Sequence, residues 1–566
     1  MKLLKLELSK LFPARKWLSH YRFSSFKSDL IAACIVLAML VPQGMAYAML
    51  AGLPPIMGIY ASILPMIVYA FTGSSTTLSI GPVAIISMMV FATLDPLFAT
   101  GSTAYIEAAY LLALLVGIIS LILGLLRFGF LIQLISHPVI QSFIIASALL
   151  IALGQFKFLL DLPLQAGNIP EFVLSLSESF HKITLSGISF GLICVLLLFV
   201  FPKFIRSDFL NKTLPLFVVL FSIAIISFIG NDDQSIKTVG FIPTGLPNFH
   251  FPSWDIELIL QLLPSAFMIA MISFVESLAI AQATALQKRD NLDSNQELIA
   301  LGFANIAAGL NSGFAVSGSL SRTVVNADAG AKTPISGVIS SLLMIAVSLY
   351  FTGFFQNLPL AVLAATIFVS IWKLVSLTPF IDTWKYSKAD GIAMWVTFFG
   401  VTCIDISTGL IIGIVLTFIL LLWRISRPHI AVIGLIEGTQ HFRNISNYNV
   451  ITTPAVVSFR VDENLSFLNA HVLKGHVITE VSQNPLLQHV VINCSSISNI
   501  DLSALEMLED LNHELAQLHI QMHLSEVKSP VMDRLCKSQL KNDLSGQIFL
   551  SHYQAIQTLS PEMLVE

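Results

Sequence analysis

The stretch GSLSRTVVNADAG, residues 318–330, decides how this chain is read. It sets an arginine among serines and glycines, deep inside two-thirds of a sequence that is otherwise apolar. Outward from it, 55% of the 566 residues are apolar and 11% are charged, against roughly 25% charged in soluble domains. Mean hydropathy is +0.81. Runs of about 20 apolar residues, enough to cross roughly 30 Å of hydrocarbon, recur from Leu30 to Trp423. The chain therefore reads as a polytopic membrane protein, with Arg322 at membrane depth.

Apolar periodicity predicts fourteen spans, near 30–50, 54–72, 82–98, 104–126, 137–157, 184–203, 213–230, 258–284, 296–311, 319–328, 333–354, 358–376, 389–404 and 407–424. Residues 1–29 carry Lys2, Lys5, Lys10, Arg15, Lys16, Arg22 and Lys27. They are too long and polar for a signal peptide and are expected to stay cytoplasmic. With that orientation, Arg127, Lys203, Arg206, Lys212, Lys288, Arg289, Lys332, Lys373, Lys385 and Lys388 all fall on the cytoplasmic side. The longest outer loop, 231–257, sets Lys237 against Asp232, Asp233, Asp255 and Glu257. After the transmembrane domain (30–425) and a linker (426–449), short alternating segments such as AVVSFRV (455–461) and HVVINCS (489–495) predict a small α/β domain over 450–566. An even number of spans returns it to the cytoplasm.

Several functions are disfavoured. Cys34, Cys194, Cys403, Cys494 and Cys536 form no CxxC or Cys/His pattern, so neither a metal nor a cofactor is expected. Net charge is −4 with the basic residues dispersed, which does not suit a nucleic-acid partner. GISFG (187–191) matches GxSxG in letters but lies within an apolar run with no preceding strand, and no HExxH occurs, so no catalytic residue is assigned.

Two spans are defective as ordinary helices. FTGSSTTLSIGP (71–82) precedes the third and NSGFAVSGS (311–319) the tenth, both rich in Gly, Ser and Thr where hydrocarbon demands a satisfied backbone. Interrupted spans at matching places in two halves point to a transporter's central site. The halves do match: QGMAYA (43–48) lies over ESLAIA (276–281), with Gln43 opposite Glu276, and Gly81 and Ser319 follow at comparable distances. Seven spans per half, an odd number, makes the repeat inverted. Two helix N-termini meeting mid-membrane attract an anion. Arg322 adds a full charge, Ser319 and Ser321 add hydroxyls, and an intramembrane Arg costing at least about 2.5–3.5 kcal/mol is expected to face a wet cavity.

These residues carry a resemblance. VPQGMAYAMLAGLPPIMGIYAS (41–62), LSIGPVAIISMM (78–89), SHPVIQSFIIASALL (136–150), FVESLAIAQ (274–282) and GSLSRTVVNADAGAKTP (318–334) resemble the SulP inorganic anion transporters, bacterial and plant relatives of the animal solute carrier 26 exchangers. The resemblance implies an all-α membrane domain of seven plus seven spans with a uracil-permease-like core (spans 1–4 and 8–11, mobile) and gate (5–7 and 12–14). It places the anion site at Gln43, Tyr47, Val83, Ala84, Ser319, Leu320, Ser321 and Arg322, and ion coupling at Glu276. Burial and Arg322 act on the proton affinity of Glu276 in opposite senses. Proton symport is the preferred reading, although relatives with Asp near this position use sodium. Sulfate leads among candidate substrates; bicarbonate, chloride and dicarboxylates, and a channel-like conductor, stay open. The expected location is a bacterial-type inner membrane, with lipid as the surrounding partner.

SISNIDLSALEMLEDL (496–511) resembles the STAS signature, which makes the tail a STAS domain concerned with homodimer formation or regulation. Ser503 stands where soluble relatives are phosphorylated, with Asp501 two residues before it. A helix N-cap is the simpler role for either. GLIIG (409–413) is a candidate for close helix packing.

Overall fold

The computed structural model describes residues 13–19, 21–130, 136–162, 164, 168–179, 181, 185–204, 208–229, 236–288, 292–372 and 375–564. Lys2, Lys5, Lys10, Arg206, Arg289 and Lys373, used above for topology, lie outside them, as do the side chains of Arg15, Lys16, Lys203, Lys212, Lys288 and residues 187–190. The chain divides into two compact units, Met1–Val415 and Leu416–Glu566.

Among the described residues, one helical segment falls on every predicted span. The first seven are α1 (Phe23–Leu50), α2 (Pro55–Thr72), α3 (Ala84–Leu94), α4 (Thr103–Leu125), α5 (His137–Leu159), α6 (Leu185–Phe204) and α7 (Asp208–Ile229). The second seven are α8 (Ile256–Lys288), α9 (Ser294–Leu310), α10 (Leu320–Asp328), α11 (Ile335–Asn357), α12 (Leu360–Trp372), α13 (Lys388–Cys403) and α14 (Ile406–Ile425). The third and tenth are half-helices of 11 and 9 residues. At about 1.5 Å per residue, neither reaches much beyond half of the roughly 30 Å hydrocarbon layer.

Packing sorts the helices into two groups. Helices α1–α4 pack chiefly with α8–α11, and α5 and α6 with α12 and α13; α14 lies on α13, and α7 joins α6 and α12 while also lying against α1, as does α12. The most extensive contact in the first group is α4 against α9, where glycines on both sides let backbones touch. A Cβ on Gly117 would lie 2.5 Å from the Ile306 nitrogen, and one on Gly302 2.7 Å from the Leu121 nitrogen. In the second group GLIIG acts within the chain, with Gly409 and Gly413 of α14 seated on Val401 and Thr397 of α13.

The non-helical backbone before α3 is satisfied by protein, as membrane depth requires. Glu297, fully buried in the first turn of α9, accepts from the Ser74 amide (2.8 Å), the Ser74 hydroxyl (2.6 Å) and the Ser75 amide (3.1 Å) on one oxygen and from the Tyr69 hydroxyl (2.8 Å) on the other. Buried Asp29 of α1 does the same for the turn after α10, accepting from the Lys332 and Thr333 amides at 2.7 and 3.2 Å.

The second unit holds a six-stranded sheet. In chain order after the short β1 (Ile80–Gly81) and β2 (Ser317–Gly318) of the first unit, its strands are β3 (Ile430–Leu435), β4 (Phe442–Asn444), β5 (Val456–Val461), β6 (His489–Asn493), β7 (Gln521–Ser525) and β8 (Ile548–Phe549). The spatial order is β4-β3-β5-β6-β7-β8, parallel from β5 to β8 and antiparallel at β3 and β4. Helices α15 (Ala470–Gln483) and α16 (Leu502–Gln517) bury Leu473, Val477, Leu508 and Leu511 in the same core as the sheet residues Phe459 and Ile492. The predicted linker, 426–449, is corrected here, because it contributes β3 and β4 to the sheet. Its start is pinned to the end of β5 by His429 and Arg460, both on Asp462 at 2.8 and 2.6 Å, and Arg460 holds that carboxyl below its ordinary range. Asp501 caps α16, accepting from the Ala504 amide at 2.9 Å, and Ser503 lies exposed in its first turn.

Candidate anion site

The two half-helices start from a common two-stranded antiparallel ribbon, a hairpin in shape although its strands come from opposite halves of the sequence. Strand β1 (Ile80–Gly81) pairs antiparallel with β2 (Ser317–Gly318), Ile80 opposite Gly318 and Gly81 opposite Ser317. Two residues beyond the Gly81–Ser317 pair on each strand stands a helix cap, Val83 for α3 and Ser319 for α10. The structural counterpart of Ser319 is therefore Val83, two residues later than the Gly81 taken from sequence, and the repeat register shifts accordingly. Further bonds fix the hairpin: the Ser319 amide donates to the Ser79 carbonyl (3.0 Å), the Ser79 amide to Thr323 Oγ1 (3.0 Å), and Asn326 Nδ2 to the Thr77 carbonyl (2.9 Å).

Both helix starts are uncapped. Neither Val83 nor Ser319 accepts a side-chain hydrogen bond from its own helix. The first amides to reach a cap carbonyl are those of Ser87 (3.0 Å) and Thr323 (2.9 Å). The amides of Ala84, Ile85 and Ile86, and of Leu320, Ser321 and Arg322, thus have no intrahelical acceptor. Two positive dipole ends are brought to one place by a hairpin only two residues deep on each side.

Arg322 completes the site, but not as expected. It is 0% exposed and does not face an open cavity; Leu320 and Ser321, earlier in the same turn, take the open side. Helical rotation carries Arg322 inward instead, over Gly81, where a Cβ would stand 3.2 Å from its Nη2. All three guanidinium nitrogens lack a hydrogen-bond partner, and the ionisable groups that act on them are Tyr47 of α1 and Glu276 of α8. A buried guanidinium with five unmet donors is a strong demand for an anion. Gln43 Oε1 and Glu276 Oε2 are likewise buried without partners. Gln43 lies one turn before the buried Tyr47 on α1. Ser319 Oγ lies 3.4 Å from Ser321 Oγ.

The hairpin thus brings Val83, Ala84, Ser319, Leu320, Ser321 and Arg322 together, with Tyr47 and Glu276 beside the guanidinium. Asp501 and Ser503 belong to the other unit. Sequence reasoning missed Ser273, Ser277 and Ser317, which tie α8 to β2: the Gly318 amide donates to Ser277 Oγ (2.8 Å), and Ser317 Oγ donates to the Ser273 carbonyl (3.2 Å). The signal was present in SFVES (273–277), where two serines flank Glu276 on one helical face.

Comparison with known proteins identifies the family. Residues 26–397 match the sulfate permease family and 447–555 the STAS domain. "Sulfate transporter 4.1, chloroplastic" of Arabidopsis thaliana is 35% identical, covering 97% of this chain and 82% of its own. "Probable sulfate transporter MT1781" of Mycobacterium tuberculosis is 30% identical, covering 96% and 95%. The fold is shared with the murine solute carrier 26 member A9 anion transporter in its inward-facing state, at a TM-score of 0.90 and 23% identity over 98% of this chain and 95% of that one. The chain belongs to the sulfate permease family: it is a multi-pass anion transporter with a C-terminal STAS domain, not an enzyme.

Proposed function

We propose that this member of the sulfate permease family is a proton-coupled sulfate symporter. The observation that carries the reading is the buried, wholly unpartnered Arg322 guanidinium beside two uncapped half-helix ends. Main-chain N–H groups, a guanidinium and two hydroxyls offer donors to a ligand, which suits an oxyanion that only accepts. Charge supports the coupling. Two helix ends of about +0.5 each and Arg322 together supply about +2, matching the doubly charged sulfate. An ionised Glu276 would leave about one uncompensated negative charge in a low dielectric, so sulfate and a proton on Glu276 favour each other's binding.

The two packing groups suit alternating access in which the core α1–α4 and α8–α11 carries the site and slides as a body against α5–α7 and α12–α14, in the manner of an elevator. The N-terminal segment and STAS domain face the cytoplasm, the membrane is the plasma membrane, and the tail supports a homodimer. Purified protein in proteoliposomes is the test. An inward proton gradient should drive saturable accumulation of radiolabelled sulfate above equilibrium, with no requirement for sodium. Accumulation driven by sodium alone, or unsaturating flux that follows voltage, overturns the reading. A panel of competing bicarbonate, chloride and dicarboxylate tests the substrate.

A further inference from the structure

The loop that leads into α8 turns its aromatic side chains outward while its backbone holds it to the protein. In FIPTGLPNFHFPSW (241–254), Phe241, Phe249, Phe251 and Trp254 are 81%, 69%, 74% and 62% exposed. Main-chain bonds pin the same segment. The Val239 and Gly240 amides donate to the Leu358 and Gln356 carbonyls at 2.9 and 3.1 Å, the Gly245 amide to the Ser348 carbonyl at 3.2 Å, and the His250 amide to the Leu310 carbonyl at 3.0 Å. Ser312 Oγ donates to the Asn248 carbonyl at 2.7 Å, and His250 Nε2 lies 2.9 and 3.0 Å from the Glu107 carboxylate oxygens. The aromatic face is therefore set by the fold. Holding four such rings in water forgoes about 25 cal/mol per Å² of apolar surface, and a patch of this kind marks a contact.

What covers the patch is read from the surface that continues it. Ile256, Leu260, Leu263 and Phe267 of α8, at positions i, i+4, i+7 and i+11, form one exposed apolar stripe. Helix α8 is long and apolar enough to cross a membrane, and the residues it turns toward α5 and α14, Ile272, Val275 and Glu276, lie on another face. The stripe therefore meets hydrocarbon. Trp254 comes two residues before its first member and Phe251 five, so the loop carries the same surface on to headgroup level, where aromatic rings are enriched. Charge narrows the partner. No Lys, Arg, Asp or Glu occurs from 241 to 254, His250 is engaged with Glu107, and the next charges, Asp255 and Glu257, are acidic. Such a surface offers nothing to an anionic lipid and suits a neutral headgroup layer.

We propose that residues 241–256 form a membrane-interface anchor that seats Phe249, Phe251 and Trp254 in a zwitterionic lipid headgroup layer beside the start of α8. The assignment depends neither on the transported anion nor on the coupling ion.

The test is tryptophan fluorescence of the full-length protein in phosphatidylcholine proteoliposomes. The chain has six tryptophans, so the Trp254 signal is read as the difference between the wild type and Trp254→Phe, a change that keeps an aromatic ring. For a ring at headgroup level, that signal is expected to fall about twofold or more when the acyl chains carry bromine near their headgroup end. It should fall less with bromine near the chain ends, and least with aqueous iodide on both sides of the membrane. Adding phosphatidylglycerol should leave the pattern unchanged. Quenching by iodide and not by lipid bromine places the loop in water, and protection from both places it against protein, a second copy included; either result overturns the anchor. Quenching that requires phosphatidylglycerol overturns the zwitterionic partner. Phe251→Trp supplies a second reporter, read as added emission with the same order of quenching expected, and it decides the matter alone should Trp254→Phe not fold.

Discussion

The first turns of α3 and α10 are built alike and charged differently. Each follows a two-residue strand, each begins after an extended cap residue, and in each the cap side chain leaves the helix's own amides free. Yet the α3 turn reads Ala84, Ile85, Ile86, while the α10 turn reads Leu320, Ser321, Arg322. The helices that open each half differ the same way, Gln43 on α1 against Glu276 on α8. Backbone dipoles are thus supplied twice, and the arginine and carboxyl side chains once, both from the second half. On the proposed reading both copies form the site, and one copy alone carries the charge that links proton and anion.

Removing the charge from the second copy should have the largest effect. Arg322→Ala leaves two helix ends alone with the anion, and losing one member of a buried charge pair costs about 2–5 kcal/mol. Sulfate affinity is expected to fall about 30-fold or more. Arg322→Lys should fall between, since an ammonium keeps the charge but not the planar donors. Equilibrium binding measures both, and an unchanged affinity in Arg322→Ala would mean that the two turns are equivalent after all. Glu276→Gln makes the halves alike on the preceding helix. Uphill accumulation driven by a pH gradient should disappear, while sulfate binding persists because Arg322 and both helix ends remain. Accumulation equal to the wild type would reduce Glu276 to a structural counter-charge.

What the sequence disclosed divides along the same line. Twelve spans were legible as apolar runs, and the broken third and tenth because Gly, Ser and Thr cluster where lipid would not allow them. Arg322 was legible because a charge in such a setting has few explanations. The pairing of β1 with β2 was not, since two residues per strand leave no periodicity to read, and without it the repeat register slipped by two. Nor could spacing show that Arg322 turns inward over Gly81 while Ser321 takes the open side. Strand β3, IAVIGL at 430–435, was lost in the linker because its apolar residues come only a few positions after the long run of α14. Glu297 reads in sequence as a polar helix start; that it satisfies a loop more than two hundred residues away follows only from the fold.

A smaller perturbation asks whether the hairpin needs its close approach. Gly81 has φ +157°, and a Cβ there would stand 3.2 Å from Arg322 Nη2, so the guanidinium must shift by a few tenths of an ångström in Gly81→Ala. Sulfate affinity should drop about tenfold, an effect between loss of the charge and none, equivalent to about 1.4 kcal/mol. Unaltered affinity would indicate that Arg322 finds its anion from more than one position, and that the hairpin does not set its geometry.

The smallest effect tests the uncharged copy directly. Val83→Thr keeps the shape of the side chain but puts a hydroxyl at the cap of α3, where threonine accepts from the second or third amide of the helix. Those amides are the ones left free toward the site. If they hold the anion, capping them sets two effects against each other: the helix gains up to about 1 kcal/mol of stability, and sulfate affinity falls by about two- to threefold as one donor is diverted. Thermal unfolding in detergent without sulfate reads the first, and equilibrium binding the second. Stability that rises with no change in affinity would show that the anion does not use the α3 amides. The site would then belong to α10 alone, and the likeness between the two half-helices would be one of architecture without shared function.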